Sequence, residues 1–345
     1  MSARRPWLAP LAPMYGAVVT AKRRMYAWGW LRQRRLPAPV ISVGSVSAGG
    51  AGKTPFVAML AGILRRRGYA VSILTRGYGR TSELIERVEP YDDPGWHGDE
   101  PVLLAQRSGA PVFAGADRYK AGLLAEQDRH DEKIVVHLLD DGFQHLRLAR
   151  DVNIVLLTRE DVEDTLLPAG NLREPIAAVG EADVVVVREE EEAALKGTLD
   201  DLRGRGHEFA VWEIRRSLTL GELGERLPTL PLAFCGIARP GNFTKMLTSS
   251  RYEPVETVAF ADHHPYADPD IARLLERARH IGANGFVTTE KDSVKITSEM
   301  RDHLEAVGPL IVARLNVELL DEKEALAQLV AMVGQLDRRK GLGRA

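Results

Sequence analysis

A single cysteine, Cys235, in 345 residues excludes an intramolecular disulfide and any cysteine-rich metal cluster, which fits a reducing compartment. Acidic residues are missing from residues 1–82, a stretch that holds 14 of the 46 lysines and arginines and leaves 32 basic residues to face all 48 acidic ones. The formal net charge of −2 hides this asymmetry, which suits an anionic membrane surface, nucleic acid or nucleotide phosphate. No interleaved base-stacking module accompanies the basic quarter, so nucleic acid is not the expected partner. No internal repeat, heptad array or low-complexity tract is present. Long apolar runs are lacking too: a bilayer span needs roughly 20 apolar residues, and the stretch from Trp7 to Val19 is broken by Pro10, Pro13 and Gly16.

What that N-terminal stretch does contain is an apolar segment of Trp7, Leu8, Leu11, Met14, Tyr15, Val18 and Val19. Lys22-Arg23-Arg24 follow, then Met25, Tyr26, Trp28, Trp30 and Leu31, then Arg32, Arg34 and Arg35. Aromatics interleaved with cations are expected to lie on a membrane rather than cross it. Two other readings stay open. Arg4-Arg5, the apolar run and Val19-Thr20-Ala21 imitate a secretory signal, although the dense positive charge after Ala21 opposes translocation. A basic helix packed on its own domain has the same pattern.

The most informative segment is Val40-Ile41-Ser42-Val43-Gly44-Ser45-Val46-Ser47-Ala48-Gly49-Gly50-Ala51-Gly52-Lys53-Thr54-Pro55, an apolar strand running into a glycine-rich loop and then a helix. Residues Ser47, Ala48, Gly49, Gly50, Ala51 and Gly52 are placed to turn backbone N–H groups onto phosphates. Lys53 reaches the outer phosphates, and Thr54 supplies a hydroxyl to Mg²⁺. Serine at position 47 departs from the usual glycine. Phe56, Met59, Leu60, Ile63 and Leu64 recur at helical spacing behind the loop, as the motif requires.

Ile134 to Leu139 followed by Asp140-Asp141 is an apolar strand ending in acids, the arrangement of a carboxylate that holds Mg²⁺; a capped strand-end turn with Gly142 is the simpler alternative. Gly98-Asp99-Glu100-Pro101 reads by itself as an ordinary helix start. Asp262-His263-His264-Pro265 reads as a loop with surface histidines, a His/Asp pair for proton handling, or a metal site. Thr75-Arg76-Gly77-Tyr78-Gly79-Arg80 brings cations to a strand end or forms a glycine turn. Leu167 to Pro175 places Arg173 and Glu174 in a turn-rich segment, with a transition-state cation and a second metal ligand as candidate roles.

Apolar runs at 70–74, 134–139, 153–157 and 183–187, separated by helical lengths, predict an α/β fold: a phosphate-loop NTPase-like parallel sheet with helices on both faces. A second, smaller α/β unit is expected from strands at 231–235, 285–289 and 310–314 and a terminal helix at about 321–336. The expected organisation is a basic amphipathic N-terminal helix at 1–35, a phosphate-loop domain at 36–207, a connection at 208–225 and a C-terminal domain at 226–345.

In order along the chain, Val43–Pro55, Arg76-Gly77-Tyr78-Gly79, Gly98-Asp99-Glu100-Pro101, Asp140-Asp141-Gly142-Phe143-Gln144-His145, Leu172-Arg173-Glu174-Pro175, Phe260-Ala261-Asp262-His263-His264 and Thr288-Thr289-Glu290-Lys291-Asp292 resemble the tetraacyldisaccharide 4′-kinase family of Gram-negative bacteria. The resemblance implies transfer of the ATP γ-phosphate to the 4′-hydroxyl of a tetraacyl glucosamine disaccharide 1-phosphate at the cytoplasmic face of the inner membrane, with Mg²⁺ as cofactor. It further implies that Lys53 clamps phosphate and that Thr54 with Asp140 or Asp141 organises Mg²⁺. Asp99 would receive or orient the acceptor proton, with His263 as its partner, and Arg173 and Glu174 would be further site residues. Ser45, Ser47 and Ala51 depart from the family pattern. A membrane-surface ATPase switch acting on protein partners is the alternative, but it has no use for an Asp99/His263 pair.

Overall fold

The computed structural model describes residues 5–128, 134–221 and 225–342. The first half of the sheet holds seven strands: β1 (Val40–Ser45), β2 (Ala70–Thr75), β3 (Glu86–Val88), β4 (Val112–Ala114), β5 (Val135–Asp140), β6 (Val152–Leu156) and β7 (Val184–Arg188). They lie in the order β7-β6-β1-β5-β2-β4-β3, all parallel except the edge strand β3. Every residue of β1, β5 and β7 is buried, as expected of a parallel sheet covered on both faces. Alternate residues serve opposite cores. Ile41, Val136 and Leu138 pack with Phe56, Leu60 and Leu64 of the helix Lys53–Arg66, whereas Val40, Leu74 and Leu139 pack with Ala121 and Ala125 of the helix Arg118–Gln127.

The stretch expected to connect two domains carries β8 (Ala210–Leu220), an 11-residue strand that belongs to both halves of the sheet. Its first part, from Ala210 to Ile214, pairs parallel with β7; Ile214 to Leu220 pair antiparallel with β12 (Leu310–Leu319). β9 (Pro231–Cys235), β10 (Glu256–Ala259) and β11 (Gly285–Thr289) complete a 12-stranded sheet in the order β10-β9-β11-β12-β8. The antiparallel pair reverses strand direction, so β9 to β12 run against β8 and the parallel strands β1, β2 and β4 to β7. Because β8 extends beyond β7 before it meets β12, the carboxyl ends of the two sets of strands face each other. Loops at carboxyl ends of parallel strands are where ligands are met, and here two sets converge.

The N-terminal segment forms a short 3₁₀ turn, Pro6–Leu11, and a helix, Ala12–Ala27. Its outward side is apolar: Trp7 (76% exposed), Leu11 (45%), Met14 (63%) and Val18 (63%) recur at intervals of four and three, with Trp28 and Trp30 exposed at its end. Among the described residues, no helix is long and apolar enough to cross a membrane.

Candidate active site

The loop after β1 takes the path its glycines allow. Gly49, Gly50 and Gly52 adopt positive φ of 73°, 75° and 89°, a region where a side chain is strained, and Gly52 precedes the helix Lys53–Arg66. Gly44 is required for a different reason, since a Cβ there would lie 2.5 Å from the Cβ of Phe143. Ser47 is buried and bridges to Leu172, while the Ala48 N–H donates to the Asn171 carbonyl, so the loop is braced by the segment that bears Arg173. Ser45, one of the departures from the family pattern, has a definite task. Lys53 Nζ donates to its Oγ at 3.0 Å, and that Oγ donates to the Ser47 carbonyl at 2.9 Å.

Lys53 also lies 3.2 Å from Asp141 Oδ1, and Arg173 donates to Asp141 Oδ2 at 2.8 Å. Asp141 has φ 49°, uncommon for a side-chain-bearing residue, which turns its carboxylate toward these two cations. Burial works against its charge, but Lys53 and Arg173 outweigh it and hold the carboxyl well below the ordinary aspartate range. Asp140 is opposite in character. It accepts from Thr75 Oγ1 at 3.1 Å, its Oδ1 is buried without a hydrogen-bond partner, and burial followed by the charges of Glu100 and Asp141 pushes its pKa up. Thr54 occupies the first turn of the helix behind the loop.

Asp99 begins the helix Asp99–Ser108, and His263 follows β10 in the other half of the sheet. The fold brings them together: His263 Nδ1 is 3.0 Å from both oxygens of Asp99. Burial opposes the charge of Asp99, but the His263 hydrogen bond and the Lys291 ammonium hold its pKa down; the same contact raises that of His263 despite burial. Lys291 stands 3.0 Å from His263 Nε2, 3.2 Å from Glu100 and 3.4 Å from Asp262. At the far end of the same helix, Arg107 donates to Glu290 at 3.0 Å and to the Leu315 carbonyl at 2.8 Å. The helix bearing Asp99 is therefore tied to the C-terminal half at both ends.

Glu174, expected as a metal ligand, is engaged elsewhere. It is buried in an ion pair with Arg23 at 2.7 Å, and Arg23 also meets Glu181, the Phe143 carbonyl and the Phe143 ring. Tyr15 donates to the Arg173 carbonyl at 3.2 Å. The N-terminal helix thus packs behind the two loops that present Asp141 and Arg173. Arg23→Ala leaves a buried carboxylate unpaired and is expected to lower unfolding free energy by about 3–5 kcal/mol. A denaturant midpoint close to that of the unmutated chain would contradict this. No group of three or more His, Cys, Asp or Glu side chains suited to a metal occurs among the described residues.

A family model described as tetraacyldisaccharide-1-P 4′-kinase, LpxK, matches residues 4–334. The chain belongs to that family. It is 38% identical to the tetraacyldisaccharide 4′-kinase of Koribacter versatilis over 339 residues, covering 96% of this chain and 99% of the relative. It is also 38% identical to that of Geobacter metallireducens over 333 residues, covering 92% and 94%. Among solved structures, the "apo" form of LpxK from Aquifex aeolicus in complex with ATP superposes with a TM-score of 0.72 at 32% identity, over 94% of this chain and 98% of that one.

Within this family fold, Lys53, Asp141 and Arg173 form one connected group and Asp99 and His263 another. Sequence reasoning missed Arg188 and Arg239. Arg188 ends β7 and donates to the Gly50 carbonyl at 3.3 Å. Arg239 lies against Gly50, where an added Cβ would meet its Cδ at 2.5 Å, and bonds Asp161 and Thr158. It also gave no role to Lys291, although the segment containing it was singled out. A lysine and a histidine 28 positions apart carry no shared periodicity to reveal the contact.

Proposed function

We propose that this chain transfers the γ-phosphate of ATP to the 4′-hydroxyl of a tetraacyl glucosamine disaccharide 1-phosphate, the phosphorylation that gives the 1,4′-bisphosphate in lipid A biosynthesis. The observation that carries this reading is the meeting of a phosphate loop from one half of the sheet with an Asp99–His263 pair completed by the other half. An ATPase switch acting on protein partners has no use for that pair.

The residues divide the work of a phosphoryl transfer, which asks mainly for positioning and charge neutralisation. Backbone N–H groups of Ser47 to Gly52 and the ammonium of Lys53 hold the outer phosphates. Arg173, beside Asp141, offers a second cation to the charge that builds up during transfer. Asp99 orients the acceptor hydroxyl and receives its proton. Asp140, with its buried partnerless Oδ1, fits a divalent cation, with Thr54 and Asp141 as the other candidate protein ligands. Mg²⁺ bound there supplies charge neutralisation to the phosphates.

The acceptor is an acylated lipid held in a bilayer, so the enzyme works at the interface. The apolar outward side of the N-terminal segment, in a stretch of chain free of acids, supports peripheral attachment at the cytoplasmic face of the inner membrane. Leu11→Ser, Met14→Ser and Val18→Ser together remove roughly 1 kcal/mol of interfacial burial each, on the order of a hundredfold in partitioning. Undiminished co-sedimentation with anionic vesicles would refute the attachment. The activity is tested with γ-labelled ATP and the tetraacyl disaccharide 1-phosphate in detergent micelles. Labelled lipid that depends on Lys53 and Mg²⁺ is expected; phosphate release without labelled lipid would favour the switch.

A further inference from the structure

The Asp99–His263 pair can work in two ways that its own geometry leaves equal: His263 can donate to Asp99, or it can draw a proton from it. The neighbour on the other ring nitrogen separates them. Lys291 Nζ is 3.0 Å from His263 Nε2, and an ammonium has three donors and no acceptor, so Nε2 at that distance is the acceptor. A neutral imidazole that accepts at Nε2 carries its hydrogen on Nδ1, which faces both oxygens of Asp99 at 3.0 Å.

We propose that Lys291 is a positioning residue that holds His263 as the Nδ1–H tautomer, so that His263 donates to Asp99 throughout and Asp99 is the terminal acceptor of the acceptor-hydroxyl proton. This rests on the function proposed above. In the step itself, the hydroxyl O–H breaks with its proton going to an Asp99 oxygen. The new O–P bond forms, the bond from the γ-phosphorus to ADP breaks, and His263 keeps its proton.

The surroundings are built to keep Lys291 charged and in place. Glu100 at 3.2 Å and Asp262 at 3.4 Å take its remaining donors, and with Asp99 they outweigh burial and raise its pKa. The other charged group near Asp99 is Lys295, at 4.0 Å, which is itself paired with Asp292. The ring of Tyr78 lies 5.0 Å from that of His263. His263 stands at φ 59°, with its N–H donating to the Gly236 carbonyl, so the loop conformation aims the ring at Asp99 and Lys291 together.

The test is long-range ¹H–¹⁵N correlation of the His263 ring in the full chain in detergent, for the unmutated protein and for Lys291→Met, Lys291→Gln and Lys291→Arg. At pH above the ring's titration midpoint the unmutated protein is expected to show a neutral ring protonated at Nδ1; an Nε2–H ring there overturns the proposal without any variant. Losing the adjacent cation favours the imidazolium, so Lys291→Met and Lys291→Gln should raise the His263 titration midpoint by about one unit. Identical ring shifts and midpoints in either neutral variant would also overturn it. The acid limb of the pH–rate profile should move to higher pH with the midpoint, and kcat should fall about tenfold to a hundredfold with the KM for ATP unchanged. Lys291→Arg keeps the charge and should restore both readouts in part. Ring signals that change as expected while transfer is unaffected would leave the tautomer assignment standing and remove the pair from the functional reading.

Discussion

Asp99→Ala is expected to reduce phosphoryl transfer by roughly 10²–10⁴-fold, the range lost with a positioned general base, while ATP still binds. The separation follows from the geometry. Asp99 contacts His263 and, more distantly, Lys295, and none of its contacts is with the loop of Ser47 to Lys53 that faces phosphate. Its carboxylate is held ionised against burial by His263 and Lys291, so it is ready to accept a proton at neutral pH. Steady-state kinetics with the lipid acceptor, beside calorimetric titration with a non-hydrolysable ATP analogue, separate the two quantities. Turnover near that of the unmutated enzyme would remove Asp99 from the mechanism, and loss of nucleotide binding would give it a different role. His263→Ala removes the donor and should cost less, since the carboxylate itself remains.

Lys53→Ala should lower kcat by on the order of 10²–10³, the cost of removing one preorganised charge from a phosphoryl-transfer site, and should also raise the KM for ATP. Both parameters move because the ammonium meets phosphate before and during transfer. A second consequence is local. Asp141 loses one of the two cations that offset its burial and keeps only Arg173 at 2.8 Å. Lys53→Arg preserves the charge but brings a planar fork to a position where Nζ bonds the single oxygen of Ser45, so it should rescue little. A Lys53→Ala enzyme with unchanged kcat would mean that the loop does not hold the transferred phosphate. The two variants therefore fail differently, one in the chemical step alone and one in nucleotide capture as well.

The parts of this site that were legible in the sequence are those whose signals are local. A strand must precede the loop, glycines must occupy positions of positive φ, and Lys53 must open the helix; all of that is written within sixteen consecutive residues. Asp140 and Asp141 are legible because five apolar residues before them announce a strand end. The meeting of Asp99 with His263 is not written anywhere in the chain's own pattern. Read alone, the first is a helix start and the second a loop histidine, and only the family resemblance linked them. Glu174 shows the reverse difficulty: its place beside Arg173 suggested metal, and its carboxylate instead neutralises Arg23 inside the protein.

The sequence by itself determined the α/β class, the phosphate loop with its lysine, the strand-end acids, and an acid-free N-terminal quarter. Tertiary structure decided the rest through one strand. Alternation at 207–215 announces an exposed strand but cannot say which neighbours it will take. By pairing parallel with β7 and then antiparallel with β12, β8 reverses strand direction and turns the carboxyl ends of the two halves toward each other. Hydrogen-bond register between strands far apart in sequence sets that reversal, and it carries His263 and Lys291 across to Asp99.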